Sequence, residues 1–200
     1  MIGCVEQIPQ VGTRTDLGSA GGSPAPVVTH VGPVFRVERF ERPGRSGAML
    51  VKDVVRHPGA VTVIAVRDDG LLPMVSNHRV AVGTRLLEFC AGKLEKGEDP
   101  AVTAVRELEE ETGYTTSSIV KLGAFYTSPG FADEIMHVYL ATALVAVPQR
   151  LEDGEDLEVV LLSQQDLRGM IARGEILDGK TLGAYLLWSM SGRPSEDPRA

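Results

Sequence analysis

Three glutamates near the middle of the chain carry the strongest chemical signal in the sequence. Glu107, Glu110 and Glu111 stand at positions i, i+3 and i+4, a spacing that places them on one face of an α-helix. Like charges at this spacing repel, and the dipole at a helix C-terminus favours cations over anions. A bound cation would reverse both penalties, and ligands made only of oxygen suit hard ions such as Mg²⁺ or Mn²⁺. The alternative is an ordinary solvated acidic face.

The residues around these glutamates predict the helix that positions them. Asp99 suits the N-cap, and Pro100 suits the first helical position because proline lacks the N–H that would be unsatisfied there. Gly113 suits the position just after the helix, where a left-handed backbone costs glycine little. The apolar residues at helical spacing predict its buried face, and they are Ala101, Val105 and Leu108.

A longer pattern surrounds this helix and points to a known family. The residues that define it follow the spacing G-x5-E-x7-R-E-U-x-E-E-x-G-U, in which U is a bulky apolar residue. They are Gly92, Glu98, Arg106, Glu107, Leu108, Glu110, Glu111, Gly113 and Tyr114, the last an aromatic variant. With this pattern the chain resembles the Nudix hydrolase family.

The resemblance implies a divalent-metal site, with Mg²⁺ as the expected ion and Mn²⁺ as an alternative. Glu107 and Glu111 are the first candidate ligands because they lie one helical turn apart on one face, and Glu110 is the next. In the family the backbone carbonyl before the first glycine of the pattern also binds metal, and here that residue is Ala91. We expect Arg106 to hold a carboxylate in place with its forked guanidinium rather than to bind the ion.

Segments outside this pattern resemble one subgroup of the family, the ADP-ribose diphosphatases. Pro129 stands 16 residues after Gly113 in a segment that also contains Phe131 and Glu134. In the subgroup this segment lies beside the substrate, so these three residues are candidate substrate contacts. Two upstream stretches, 54–60 and 77–83, resemble the same subgroup.

The subgroup resemblance implies hydrolysis of ADP-ribose to AMP and ribose 5-phosphate. One alternative within the enzyme class is another sugar nucleotide, such as UDP-glucose or GDP-mannose. An alternative from a different class is a non-catalytic nucleotide-sensing module, although such modules usually lose carboxylates that this chain keeps.

Two basic residues are further candidates for contact with the substrate. Arg79 suits phosphate or ribose because a guanidinium makes forked contacts, and the alternative is a surface salt bridge. Lys52 stands where the subgroup often has arginine, which weakens a forked contact with phosphate. Arg56 takes the place of a glutamate in the subgroup, a departure that bears on substrate choice.

The resemblance also implies a general base from an acidic loop late in the chain. The matching stretch is 151–157, where Glu155 is the first candidate and Glu152 the second. Asp153 is a third, and the alternative for each of them is a solvated loop position.

Composition limits the other classes of function. The 200 residues carry a net charge of −7 with no basic block, which argues against nucleic acid as the main partner. No apolar run reaches the roughly 18–20 residues that a membrane helix needs, and no signal peptide is evident at the N-terminus. The two cysteines, Cys4 and Cys90, are too few for a disulfide framework and predict a cytoplasmic location.

The order of predicted elements indicates an α+β protein. Strands are predicted at 35–40, 49–55, 60–66, 72–80, 119–125, 135–147 and 159–162, and residues 86–89 lead into the pattern of defining residues around the central helix. Besides the central helix, Ser163 and Asp178 can cap helices that reach Arg173 and Met190. The resemblance implies a Nudix-type α/β/α sandwich with a mixed sheet, preceded by a small N-terminal β-hairpin subdomain.

The expected organisation of the chain has four parts. These are a flexible leader at 1–27, the β subdomain at 28–58, the Nudix domain at 59–190 and a frayed tail at 191–200. The resemblance further implies a homodimer in which the subunits exchange the hairpin at 35–55.

Overall fold

The structure is a computed structural model that describes residues 25–151 and 154–192. The strands are β1 Val27–Val31, β2 Arg36–Pro43, β3 Met49–Arg56, β4 Ala60–Ala65, β5 Leu71–Arg79, β6 Thr84–Glu88, β7 Cys90–Lys93, β8 Tyr114–Thr115, β9 Ser118–Tyr126, β10 Ile135–Thr142, β11 Val145–Ala146 and β12 Leu157–Ser163. The helices are α1 Pro100–Thr112, α2 Gln164–Ala172 and α3 Gly179–Met190. Within those residues, no helix is long and apolar enough to cross a membrane.

The described residues form two compact units, and the first is built on an antiparallel sheet. It comprises residues 25–57 and the segment Ser128–Asp133. Strands β1, β2 and β3 pair in that order, so the predicted hairpin is confirmed and gains an outer strand. The sequence analysis had placed Val27 in a leader, whereas the structure begins β1 at this residue.

The second unit comprises residues 58–127, 134–151 and 154–192 and contains a four-stranded mixed sheet. Its strand order is β7-β4-β10-β9, with β4 and β10 parallel and the other pairs antiparallel. All six residues of β4 are buried, as its nearly all-apolar sequence indicates. The unit also contains a three-stranded sheet, β12-β5-β6, and a two-stranded sheet, β11-β8.

Helices cover both faces of the four-stranded sheet, so the predicted α/β/α sandwich is confirmed. On one face, Ala104 and Leu108 of α1 pack with Val61 and Val63 of β4. On the other face, Ala184 and Trp188 of α3 pack in a cluster that includes Ile64. The mixed sheet thus lies between two apolar layers.

Two strand predictions were wrong because they depend on distant contacts. The run at 135–147 was predicted as one strand, but β10 ends at Thr142 and Ala143 adopts a positive φ of 51°. After this break, Val145 and Ala146 pair with β8 instead. Strand β7 was not predicted, since its four residues include glycine and form a strand by pairing with β4.

Candidate active site

Helix α1 begins and ends as its sequence predicts. The Asp99 carboxylate accepts a hydrogen bond from the Ala101 N–H at 2.8 Å, and Pro100 occupies the first turn. Gly113 has a left-handed backbone with φ of 71°, and its N–H donates to the Glu109 carbonyl. Both boundaries are confirmed, so the register of the three glutamates on the helix is fixed.

The buried face of α1 differs from the predicted one. Val105 is only partly buried, so its predicted place in the buried face was wrong, whereas Leu108 is fully buried. Glu107 and Glu111 lie on the buried face and are only 8% and 3% exposed. The face is set by the packing of α1 on β7 and β4, which apolar spacing alone does not reveal. Fully buried glutamates are rare unless they have partners, which makes this pair the candidate functional site.

Strand β7 supplies the surface on which both glutamates rest. A Cβ atom added to Gly92 would lie 1.8 Å from the Glu107 carboxylate carbon, so only glycine leaves room for that side chain. The Ala91 N–H donates to Glu111 Oε2 at 3.0 Å. The backbone of β7 therefore leaves room for the Glu107 carboxylate and donates a hydrogen bond to Glu111.

The pKa values of both carboxyl groups show that this pocket is short of positive charge. Burial raises the pKa of Glu111 to about 8, and the charges of Glu107 and Glu155 add to the rise. Burial also raises the pKa of Glu107 to about 6, although the neighbouring Arg106 opposes the rise. A bound cation would favour the ionised form of each group.

Arg106 lies beside this pair and contacts three carboxylates. Its Nη1 donates to Glu107 Oε1 and to Glu110 Oε2, both at 2.9 Å. Its Nε and Nη2 face Glu98 at 3.3 and 3.2 Å, and these hydrogen bonds lower the pKa of Glu98 to about 2. Arg106 therefore has the forked contacts expected of a residue that orients carboxylates, and it draws Glu110 toward itself.

The carboxylates do not converge on a single point. Across residues 25–151 and 154–192, no group of three or more His, Cys, Asp or Glu side chains is arranged to hold an ion. The Arg106 contacts give the physical reason, since they hold Glu107 and Glu110 on its guanidinium. Glu111 points instead to the Ala91 N–H.

Glu155 belongs to the same unit and is close enough to raise the pKa values of Glu107 and Glu111. The next residue, Asp156, is held by two contacts. Its carbonyl accepts a hydrogen bond from the His78 N–H at 3.0 Å, and its carboxylate pairs with Arg85. This attachment to β5 and β6 holds the end of the acidic loop facing α1. The other two base candidates, Glu152 and Asp153, lie outside the described residues.

Arg79 is engaged in an ion pair that the sequence analysis did not identify. Its Nε and Nη2 donate to the two oxygens of Glu88 at 2.9 and 2.6 Å. Lys180 pairs with the same carboxylate and also with Asp178. The Glu88 side chain is 1% exposed, and the Arg79 side chain is 40% exposed. A glutamate inside the apolar run Leu86-Leu87-Glu88-Phe89 was the signal that could have revealed this network.

The remaining substrate candidates are divided between the two units. Lys52, Pro129 and Phe131 belong to the first unit, and the Phe131 residue is 60% exposed. Glu134 belongs to the second, where its carboxylate accepts from the Thr127 hydroxyl at 2.6 Å.

Comparison with known proteins assigns the family. The NUDIX domain model matches residues 56–182, which is more than half of the chain. The chain belongs to the Nudix family. Its matched region contains helix α1, strand β7, Glu155 and the Glu88 network.

Several Nudix relatives are similar over most of their length. The chain is 47% identical over 147 residues to an ADP-ribose pyrophosphatase of Bacillus subtilis, covering 72% of this chain and 78% of that protein. It is 42% identical to a methanol dehydrogenase activator of Bacillus methanolicus, covering 74% and 80%. It is 36% identical to an ADP-ribose pyrophosphatase of Mycobacterium tuberculosis, covering 78% and 77%.

A solved structure confirms the fold. The crystal structure of an ADP compounds hydrolase superposes with a TM-score of 0.69, covering 85% of this chain and 95% of that one, at 19% sequence identity. This likeness supports the Nudix sandwich described above.

Proposed function

We propose that this Nudix protein hydrolyses the diphosphate bond of ADP-ribose, giving AMP and ribose 5-phosphate, with Mg²⁺ as its metal and Mn²⁺ as an alternative. The observation that carries the proposal is the pair of buried glutamates, Glu107 and Glu111, on one face of α1 against β7. The relatives named as ADP-ribose pyrophosphatases support this choice of substrate.

The residues present fit a divalent cation. Buried carboxylates with raised pKa values are stabilised by a cation, and the missing Cβ of Gly92 lets the Glu107 carboxylate lie against β7, where the Ala91 N–H also binds Glu111. Glu107 and Glu111 would hold the ion, with Glu110 and the Ala91 carbonyl as further ligands. When bound, Mg²⁺ neutralises charge on the diphosphate and lowers the pKa of a bound water.

The chain's own residues supply the other functions. Arg106 orients Glu107 and Glu110 through its two 2.9 Å hydrogen bonds. Glu155 serves as the general base that takes a proton from the attacking water, because its charge acts on the same carboxylates and the next residue, Asp156, is hydrogen-bonded to β5.

Substrate contacts come from residues on other elements. Arg79 offers the remaining edge of its guanidinium to phosphate or ribose, since Glu88 holds its Nε and Nη2. Lys52, Pro129, Phe131 and Glu134 are the further proposed contacts.

A substrate panel tests the proposal. ADP-ribose, UDP-glucose, GDP-mannose, coenzyme A and dGTP are each incubated with the protein, with Mg²⁺ and with EDTA. We expect Mg²⁺-dependent release of AMP from ADP-ribose above all other hydrolysis. Much faster hydrolysis of UDP-glucose or GDP-mannose would favour the sugar-nucleotide alternative. Hydrolysis of none of them would favour a nucleotide-sensing module.

The general base has its own test. Glu155→Gln and Glu152→Gln are compared with wild type at saturating ADP-ribose. A loss of more than about tenfold in kcat for one variant identifies the base. The loop-base proposal fails if neither variant shows such a loss.

We also propose that the protein is a homodimer formed through its N-terminal sheet. Several apolar residues of β1 and β3 are about half or more exposed. They are Val27, Val28, Val31, Met49, Leu50 and Val51. An apolar surface of this kind is typical of a protein interface. Light scattering is expected to give twice the chain mass, and a monomer mass at working concentration would contradict the dimer.

The proposed compartment is the cytoplasm, on the basis of the two cysteines.

A further inference from the structure

The segment Ser128–Asp133, which carries Pro129 and Phe131, is attached to the end of β3. The Val55 N–H donates to the Phe131 carbonyl at 2.8 Å, and the Asp133 N–H donates to the Val55 carbonyl at 3.1 Å. Inside the segment, the Phe131 and Ala132 N–H groups both donate to the Ser128 carbonyl. The segment is therefore a tight turn fixed by its own hydrogen bonds and by one residue of β3.

The Asp133 carboxylate adds a second attachment through side chains. Its Oδ1 accepts from the His57 N–H at 2.8 Å, and its Oδ2 accepts from Arg56 Nη1 at 3.0 Å. Both donors follow directly after Val55, so three consecutive residues of the chain hold the end of the segment. The Asp133 side chain is 17% exposed, which shields these contacts from solvent.

Arg56 also contacts residues of β2, in addition to its contact with the segment. Its Nε donates to Glu38 Oε2 at 2.7 Å, and Glu38 also accepts from Arg36 at 2.8 Å. The guanidinium carbon lies 5.4 Å from the centre of the Phe40 ring, within the range of a cation–π contact. Arg56 thus connects the middle of β2 to the segment through a fixed geometry.

The consequence concerns Phe131. Its residue is 60% exposed although the backbone that carries it is tightly held. A large aromatic side chain on a fixed turn loses little conformational entropy when a ligand packs against it. The Arg56–Asp133 pair therefore determines how well this ring is preorganised.

We propose that Arg56 and Asp133 are positioning residues that fix the substrate-contacting segment on β3 and thereby set the affinity for the nucleotide substrate. The inference rests on the proposed function, since it takes Phe131 and Pro129 as substrate contacts. An arginine at position 56 is needed for this role, because a glutamate there would repel Asp133 instead of binding it.

The same sheet offers a matched control. Arg39 and Asp53 form a forked ion pair between β2 and β3 with both N–O distances at 2.8 Å. Their side chains are 43% and 47% exposed, and the pair contacts no residue of the segment in any described hydrogen bond. Removing this exposed pair takes a forked ion pair from the same two strands without affecting the segment.

Steady-state kinetics with ADP-ribose and Mg²⁺ test the proposal. We expect Arg56→Gln and Asp133→Asn each to raise KM by about tenfold, since each removes a partly buried charge-assisted hydrogen bond. We expect kcat to change by less than about threefold because the metal site is untouched. Arg39→Gln should leave both constants within about twofold. The double variant Arg56→Gln/Asp133→Asn should be no worse than either single variant. Unchanged KM in both single variants, or an equal rise in Arg39→Gln, would overturn the proposal.

Hydrogen exchange separates this proposal from the proposed function. A peptide that covers 128–134 should exchange faster in Arg56→Gln and Asp133→Asn than in wild type or Arg39→Gln. Equal exchange in all four proteins would overturn the positioning role. If the wild type hydrolyses no ADP-ribose, the proposed function fails, while the exchange data still decide whether Arg56 fixes the segment.

Discussion

Glu88 and Glu111 are both buried carboxylates of the Nudix unit, yet their surroundings are opposite. Glu88 accepts the forked guanidinium of Arg79 and pairs with Lys180. Glu111 accepts the Ala91 N–H and forms no salt bridge with a lysine or arginine in the parts of the chain that the structure describes. The fold thus pairs one buried carboxylate with two cationic side chains and gives the other only a backbone hydrogen bond.

The difference is the physical reason for proposing a metal ion at the second glutamate. Burial is the largest cause of the raised pKa of Glu111, and the charges of Glu107 and Glu155 raise this pKa further. The charge of Arg79 opposes this rise but leaves the pKa at about 8. An uncompensated buried charge costs several kcal/mol, so a chain that keeps one gains by binding a cation there.

The largest expected effect comes from removing the uncompensated charge. Glu111→Gln should lower kcat for ADP-ribose by on the order of a thousandfold, because a main source of electrostatic stabilisation is lost with the metal. Glu109→Gln is the control on the same helix, since Glu109 pairs only with the exposed Arg150 in the described side-chain contacts. Its activity should stay within about twofold of wild type. Full activity of Glu111→Gln would contradict the assignment.

A smaller fall in kcat is expected from a substitution at Gly92, which tests the position of Glu107 alone. Gly92→Ala places a Cβ atom 1.8 Å from the Glu107 carboxylate carbon and forces this side chain to move. Displacement of a catalytic group by about 1 Å costs roughly a hundredfold in rate, so kcat should fall by about this factor. Gly179→Ala is the control, because nothing lies within 4 Å of its new Cβ. An active Gly92→Ala protein would show that the position of Glu107 matters little.

The two buried glutamates should respond with opposite signs in the metal-free protein. Glu88→Gln leaves Arg79 and Lys180 without their main partner and should lower the free energy of unfolding by about 3 kcal/mol. Glu111→Gln removes an unfavourable buried charge and should raise it at pH 8. Urea denaturation in EDTA measures both. A loss of stability in both variants would mean that Glu111 is compensated within the fold.

The last expected effect is a pH dependence of stability. The pKa of Glu111 is about 8 in the folded protein, whereas the ordinary value of 4.5 applies in the unfolded chain. Between pH 4.5 and about pH 8, the folded state therefore keeps a proton on Glu111 that the unfolded state has lost. The free energy of unfolding of the metal-free protein should therefore fall as pH rises from about 5 to about 8. The raised pKa of Glu107, about 6, adds to the lower part of this range. Glu111→Gln should show a flatter slope than wild type, and equal slopes would contradict the raised pKa.

Local signals predicted the helix well but did not predict its orientation. Asp99, Pro100 and Gly113 are adjacent to the boundaries they set, so the sequence alone locates α1. Which face is buried depends on packing against β7, where Gly92 makes room for Glu107, while Val105 stays only partly buried. The contact between Gly92 and Glu107 joins a strand to the helix, and the spacing of apolar residues along the helix does not predict it.

The candidate site was predictable to a similar extent. The spacing of Glu107 and Glu111 predicts a shared face, and the structure places them together on it. Glu88 and Lys180 are 92 residues apart, so no local pattern indicates that they share a charge network with Arg79. For the same reason the sequence analysis could give a salt bridge as the alternative for Arg79 but could not name its partner.

Binding of Mn²⁺, followed by electron paramagnetic resonance as a probe of the Mg²⁺ site, tests the central claim most directly. Wild type and Glu88→Gln should both bind the ion, the latter under conditions in which it remains folded. Glu107→Gln and Glu111→Gln should each bind at least about tenfold more weakly. Binding by Glu111→Gln as tight as that of wild type would contradict the claim that the uncompensated glutamate is reserved for a metal.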